Sequence, residues 1–166
     1  MPDTVAVRVH EEGLRWGYAL PWYGPFMTLD ENTLYAKLKF LDKYNLKSTH
    51  IGLDEIAAMT DAEREALGLF LEEHDLEVFP HVRINHVGTP ADEVKRQQES
   101  IISMLQMYKK HMRCRIIHSG ANAGHRFDRT SSVDSKMESL SRALLPVAAA
   151  CKKMGTPLVI ENHGDF

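Results

Sequence analysis

The segment that decides the fold is Pro157-Leu158-Val159-Ile160-Glu161-Asn162-His163-Gly164-Asp165-Phe166, where an apolar run leads directly into polar residues. Three consecutive apolar residues, two of them β-branched, predict a strand that is buried on both faces, as in a parallel sheet. In α/β folds, ligands bind beside the carboxyl ends of such strands. A carboxylate that ends a buried strand must be paired, protonated or metal-bound. The segment therefore predicts a functional site that includes Glu161.

The composition is that of an ordinary globular domain. The 166 residues are 43% hydrophobic and 26% charged, a length that can bury a sizeable core. A formal net charge of −3 gives no electrostatic signature of binding to nucleic acid or to an anionic membrane surface. The first 13 residues do not resemble a secretory signal, and no apolar segment has the length of a membrane span. Cys114 and Cys151 lack a C-x-x-C spacing, so we expect packed thiols in a reducing, cytoplasmic environment.

Strand and helix patterns alternate along the chain. After a lead-in over residues 1–13, five apolar segments predict strands, and helical repeats of apolar residues separate them. The predicted strands cover residues 14–20, 46–52, 76–82, 114–118 and 157 onward. Right-handed crossovers would make these strands parallel and place the helices outside. The sequence therefore predicts one α/β domain with about five parallel strands and four intervening helices.

Local signals predict where one helix begins and where the last helix ends. Thr60 and Glu63 have the spacing of a capping box, in which each side chain accepts a hydrogen bond from the backbone of the other. Gly155 predicts a left-handed residue at the end of the last helix. Pro146 lies inside that helix and predicts a bend or a restart, because it has no backbone N–H.

Histidines suited to catalysis or metal binding fall at or just past the predicted strand ends. They are His50, His81, His118 and His163, and Glu161 joins them. In a parallel barrel the carboxyl ends of all strands surround one site, so these residues would face one another. Imidazole and carboxylate groups suit zinc, manganese or iron, and a carboxylate-rich set suits manganese or magnesium. The alternative for each histidine is a hydrogen-bonded structural role, which weighs most for His50.

Three further residues are candidate substrate contacts. Trp22 lies in a loop rich in proline and glycine, where it either covers a pocket or packs as a loop aromatic. Asn162 and His163 directly follow the candidate carboxylate. His163 has three possible roles: metal ligand, substrate contact or supporting partner.

The sequence resembles the xylose isomerase-like TIM barrels, the sugar phosphate isomerase/epimerase group that also includes the abasic-site endonucleases. The resemblance rests on Ile116-Ile117-His118-Ser119-Gly120, on residues 157–163 and on the order of elements between them. It implies a partial (β/α)8 TIM barrel, since a complete barrel needs about 250 residues and this sequence supplies about five of eight βα units. We expect residues 1–166 to be the N-terminal part of such a barrel. An incomplete reading frame or a fragment is the favoured explanation, and the alternative is a half-barrel completed by a partner or a homo-oligomer.

The resemblance also implies a chemistry, that of a metal-dependent isomerase or epimerase acting on a sugar, or a similar polyol or keto acid, through an enediolate. Glu161 is the expected ligand of a divalent ion (Mn, Mg or Zn), and Glu161 and His118 are the expected catalytic residues. The expected contacts of the sugar-like substrate are Trp22, His50, His81, Asn162 and His163. The other metal ligands of such enzymes come from later strands, so this chain alone is expected to be inactive. We expect neither nucleic acid nor membrane as a partner.

Two other functions stay open at this point. In an abasic-site endonuclease-like zinc phosphodiesterase, His81 and His118 would bind metal. The net charge of −3 speaks against the basic surface that DNA binding requires. The chain could instead be a non-catalytic domain or subunit that acts only in association with others. Several zinc ions per chain would favour the endonuclease, and one manganese or magnesium would favour the isomerase.

Overall fold

The computed structural model describes Gly17 and residues 34–120 and 130–161. Helices and strands alternate in these ranges. They are α1 (Leu34–Lys43), β1 (Ser48–Gly52), α2 (Leu53–Ala57), α3 (Asp61–Glu73), β2 (Glu77–Val82), α4 (Ala91–His111), β3 (Ile117–Gly120), α5 (Val133–Lys153) and β4 (Leu158–Glu161). Strands β1 to β4 correspond to the second to fifth predicted strands. Of the first predicted strand, the described part of the chain contains only Gly17, which forms a parallel bridge with Ser48.

The four described strands form one parallel sheet in the order β1-β2-β3-β4. The prediction of an α/β fold with a parallel sheet is therefore confirmed. Because side chains alternate between the two faces of a strand, each strand separates a helix-facing set from an opposite set. Val78, Val82 and Ile117 are buried in the core beneath the helices. His81 and His118 occupy the alternate positions, and the register pairs them across β2 and β3.

Tyr108 joins helix α4 to the sheet. Its side chain is fully buried, and its hydroxyl donates a hydrogen bond of 2.6 Å to the backbone oxygen of Val78. Leu105 and Val147 are also almost completely buried, and burial of one such side chain stabilises a fold by about 1.5–3 kcal/mol. Helices α4 and α5 each have 21 residues. None of the helices in the described ranges is apolar over a membrane-spanning length.

The predicted helix signals at Thr60 and Gly155 are both present. Thr60 Oγ1 accepts from the backbone N–H of Glu63 at 3.3 Å, and the Glu63 carboxylate accepts from the Thr60 N–H at 2.7 Å. These bonds satisfy two backbone donors that a helix start would otherwise leave without partners. Gly155 has φ of 68° and follows the last turn of α5, a conformation that glycine adopts without steric cost.

The prediction that the strand before Glu161 is buried on both faces is wrong for the described chain. Val159 is 42% exposed and Ile160 is 48% exposed. Burial on both faces requires a strand on each side and packing against both faces of the sheet. Among the described residues, β4 has a strand neighbour on one side only, which is β3. The apolar run therefore specifies a strand correctly but not its burial.

Two secondary-structure elements also differ from the sequence prediction. The short helix α2 (Leu53–Ala57) was not predicted, because five residues are too few to show a helical repeat. It places Leu53 and Ile56 in the core. Strand β3 begins at Ile117 instead of residue 114, and its first backbone bond runs from the Ile117 N–H to the Pro157 oxygen at 2.9 Å.

Helix α5 runs through Pro146 without a restart, because a neighbouring side chain replaces the missing donor. Proline cannot donate to the carbonyl four residues earlier, which is that of Arg142. The Gln98 side-chain amide, on α4, donates to the backbone oxygens of Arg142 at 3.1 Å and of Ala143 at 2.9 Å. Gln98 thus joins α4 to α5 where Pro146 leaves the Arg142 carbonyl without a backbone donor.

Replacing Gln98 with methionine, which has similar length but no donor, should lower the free energy of unfolding by about 1 kcal/mol. The loss of stability caused by Gln98→Met should be smaller when Pro146→Ala is also present. The backbone N–H of alanine can then donate to the Arg142 carbonyl oxygen. Urea denaturation of the four proteins of this double-mutant cycle measures the coupling. Glu99→Met, at an exposed neighbouring position of α4, is the matched control. An unchanged cost in the Pro146→Ala background would contradict this account.

Candidate functional site

Four of the predicted site residues lie together at the carboxyl ends of the strands. The imidazole rings of His50 and His118 stack with centroids 4.7 Å apart and planes 11° from parallel. The His81 ring lies 4.9 Å from that of His118 and 6.2 Å from that of His50. Glu161 is paired in register with Gly120, two residues beyond His118 on the neighbouring strand. Parallel pairing of four short strands therefore brings together residues up to 111 positions apart in the sequence.

A chain of polar contacts joins three of these residues. His81 Nδ1 lies 2.8 Å from His118 Nδ1, and His118 Nε2 lies 3.2 Å from Glu161 Oε2. A neutral imidazole carries one N–H, so one ring of the close pair must donate and the other must accept. If His118 Nε2–H donates to Glu161, then His118 Nδ1 accepts from the Nδ1–H of His81. This arrangement leaves a lone pair on His81 Nε2 that can accept a proton or bind an electrophile.

The environment keeps two of the imidazoles neutral at pH 7. Burial, followed by the positive charges of His118 and His50, lowers the pKa of His81 to about 4, and the Glu161 carboxylate acts in the opposite direction. Burial and then the charge of His118 lower the pKa of His50, and Glu161 again opposes the shift. Neutral rings at this edge can serve as proton acceptors or metal ligands, whereas protonated rings cannot.

The donor atoms at this edge are of the right chemical types for a divalent ion but do not form a complete site. Glu161 is 52% exposed and supplies a carboxylate, and His81 and His118 supply imidazoles. Within the described ranges, no three or more histidine, cysteine or acidic side chains are arranged to hold an ion together. Glu161 can therefore contribute one ligand, and a complete coordination shell requires donors from elsewhere in the protein.

The remaining predicted site residues, Trp22, Asn162 and His163, lie outside the described residues. Arg83 was not among the sequence predictions, although it stands two positions after His81 and therefore on the same face of the chain leaving β2. That spacing is the sequence signal that could have identified it. The positive charge of Arg83 contributes to the lowered pKa of His81.

A cavity of about 470 Å³ opens at the other end of the sheet, where the strands begin. Its charged groups pair largely with one another. Arg115 Nε lies 3.2 Å from Glu77 Oε2, and an Arg113 nitrogen lies 3.2 Å from Glu72. Ligands of parallel α/β folds bind at the carboxyl ends instead. We therefore place the candidate site at the histidines and not at this cavity.

The arrangement of strands and helices in the described residues identifies the fold. The described parallel sheet, with helices on one face and polar residues at the strand ends, has the fold of about half of a (β/α)8 TIM barrel. The predicted partial barrel is thereby confirmed.

Solved structures with this fold include two D-psicose 3-epimerases. One, determined in the presence of D-fructose, has a TM-score of 0.67 at 13% identity and matches 92% of this chain. The other, from Clostridium cellulolyticum H10 with D-tagatose, has a TM-score of 0.62 at 13% identity over 81% of this chain. A xylose isomerase domain protein from Alicyclobacillus acidocaldarius has a TM-score of 0.59 at 13% identity over 80% of this chain. The chain spans about half the length of these proteins: 54%, 49% and 46%, respectively. No protein-family model and no curated protein sequence matches it.

Proposed function

We propose that the protein containing this chain is a metal-dependent sugar isomerase or epimerase that acts through an enediolate. The observation that carries the proposal is the contact chain from His81 through His118 to Glu161 at the carboxyl edge of the sheet. In support, solved structures that share the fold are epimerases and a xylose isomerase domain protein. A sugar or a sugar-like keto compound is the proposed substrate class.

Glu161 is the proposed acid/base residue. Its carboxylate is half exposed, so a substrate can reach it, and its Oε2 is positioned by His118 Nε2. Isomerisation and epimerisation next to a carbonyl both begin with removal of a proton from carbon, which a carboxylate at this position can accept. In an isomerisation, the same carboxylate can return the proton to the neighbouring carbon. In an epimerisation, a second acid on the opposite face must supply a proton to the same carbon. His118 holds Glu161 in place, and the lone pair on His81 Nε2 can accept a hydrogen bond from a substrate hydroxyl.

A divalent ion, when bound, would polarise the substrate carbonyl as a Lewis acid and so favour loss of the neighbouring proton. Glu161 is the residue of this chain that we propose as its ligand, with Mn, Mg or Zn as candidates. The neutral state of His81 and His50 suits this role, because neither ring adds a positive charge beside the ion.

The full-length protein should convert a ketohexose such as D-fructose or D-tagatose in a metal-dependent way. Chelation with EDTA should abolish turnover, and Mn²⁺, Mg²⁺ or Zn²⁺ should restore it, because the carbon acid is too weak to lose its proton without carbonyl polarisation. In D2O the product should carry deuterium on the carbon that exchanges its proton, which NMR detects. Turnover without deuterium incorporation would contradict proton transfer by a base that exchanges with solvent, as the half-exposed Glu161 would.

Metal analysis and a DNA-cleavage assay of the same protein separate the other functions that the sequence leaves open. Several zinc ions per protein and cleavage of abasic DNA would indicate the endonuclease-like phosphodiesterase. Absence of turnover with every metal and every ketose, in a folded full-length protein, would favour the non-catalytic domain or subunit.

A further inference from the structure

The backbone of His50 lies deeper in the sheet than the backbones of the other two histidines of the candidate site. The register pairs Gly52 with His81, and His81 with His118. His50 therefore stands two residues before the level of those two histidines, about 6–7 Å further from the carboxyl edge. Gly52, which is level with them, has no side chain. His50 is thus placed to support the side chains at that edge from below.

The His50 ring packs on the ring of His118 and not on that of the adjacent strand. Strand β2 lies between β1 and β3, so His118 is two strands away from His50. The ring centroids of His50 and His118 are nevertheless 4.7 Å apart, with planes 11° from parallel, whereas the His81 centroid is 6.2 Å from that of His50. A nearly parallel contact at this distance is a stacked aromatic pair. His50 therefore covers one face of the His118 imidazole.

This stacking adds a third contact to the two polar contacts of His118. Its Nδ1 lies 2.8 Å from His81 Nδ1, and its Nε2 lies 3.2 Å from Glu161 Oε2. The nitrogens of an imidazole donate and accept in the plane of the ring, and a contact on the ring face opposes tilting of that plane. The His118 side chain is 12% exposed and that of Glu161 is 52% exposed, so a substrate reaches Glu161 more readily. The orientation of His118 then determines where Glu161 is held.

We propose that His50 is a positioning residue, which holds the plane of the His118 imidazole so that Nε2 keeps Glu161 in place for proton transfer. The inference rests on the proposed function, because it assigns a role within the same site. It replaces the expectation from the sequence that His50 contacts the substrate. A substrate contact would act through a ring nitrogen, whereas a positioning residue acts through the face of the ring.

Three substitutions separate the face of the ring from its nitrogens. His50→Phe keeps a flat ring without nitrogens, His50→Asn keeps a polar amide without a ring, and His50→Leu removes both. In the full-length protein with Mn²⁺ and D-fructose or D-tagatose, His50→Asn and His50→Leu should lower kcat by about 10–100-fold, the effect of misplacing a catalytic group by about 1 Å. KM should stay unchanged, because the weakened interaction is one made in the transition state. His50→Phe should retain most of kcat.

His74→Leu is the matched control for these substitutions. It removes a histidine ring that packs on Phe70 with centroids 4.3 Å apart, away from the strand ends. Turnover should be unchanged in this variant, because its stacking partner does not contact the site.

The ring protons of His118 report the stacking without any turnover. A ring stacked on His118 shifts the proton resonances of its Cδ2–H and Cε1–H groups upfield, and His118→Gln identifies these resonances by their loss. In NMR spectra of the metal-free protein at one fixed pH, the upfield shift should persist in His50→Phe. It should be lost in His50→Asn and His50→Leu.

The two measurements separate this inference from the proposed function. If kcat falls in His50→Phe as far as in His50→Leu, or if His50→Asn retains it, the inference is overturned while the isomerase proposal stands. Unchanged turnover in all three variants, or His118 resonances that do not move in His50→Leu, would also overturn it. If the unchanged protein converts no ketose, the proposed function fails, and the His118 resonances then decide whether His50 orients the ring.

Discussion

Glu161→Gln in the full-length protein should lower kcat for the ketose reaction by at least about 100-fold, since positioned proton transfer contributes about 10²–10⁴-fold to catalysis. Glutamine has the same shape but cannot accept the proton, and it lacks the charge that a divalent ion requires. The fold should be retained, because the Glu161 side chain is 52% exposed and its described contact is with His118. Metal affinity should fall together with turnover.

Two measurements make this result specific to the proposed role. Metal content after dialysis reports the lost ligand, and turnover at saturating metal reports the lost proton acceptor. Glu138→Gln on α5, an exposed glutamate paired with Arg142, is the control for removing one carboxylate. Deuterium incorporation from D2O should disappear with Glu161→Gln. A variant that retains both kcat and bound metal would show that Glu161 is neither base nor ligand.

The sequence predicts the arrangement of the site better than its internal geometry. Apolar runs that end in His81, His118 and Glu161 predict strands, and parallel pairing alone requires that their ends meet. The structure does bring these residues together with His50. Their catalytic roles stay predictions. The direct Nδ1–Nδ1 contact depends on the pairing register of His81 with His118, which strand propensity does not determine.

Other features escaped prediction because they depend on tertiary contacts. Gln98 on α4 satisfies a carbonyl of α5 that Pro146 leaves without a donor, and only the packing of the two helices shows this. The exposure of Val159 and Ile160 depends on which elements surround β4. An apolar sequence specifies that a segment favours burial and does not specify what covers it.

Acidification should destabilise the protein between about pH 6.5 and pH 4, and His81 should account for a distinct part of the change. The pKa of His81 is about 4 in the folded chain, because of burial and then the charges of His118 and His50. In the unfolded chain its pKa is near 6.5. Within this window the unfolded state binds the additional proton, so the free energy of unfolding decreases as the pH falls. One such group contributes at most about 1.4 kcal/mol per pH unit.

His81→Gln tests this assignment, since glutamine can still form a hydrogen bond with His118 Nδ1 but does not titrate. Urea denaturation midpoints at pH 7, 6, 5 and 4.5, measured without metal, should show a shallower loss of stability in His81→Gln than in the unchanged protein. His74→Gln removes a histidine that directly follows α3 and contacts Asp42 of α1, and the loss of stability on acidification should persist in that variant. If the slope in His81→Gln equalled that of the unchanged protein, the proton that drives acid destabilisation would bind elsewhere. A shallower slope would show that His81 takes up a proton in the unfolded state that it does not hold in the folded state, as expected for a neutral ring in contact with His118 Nδ1.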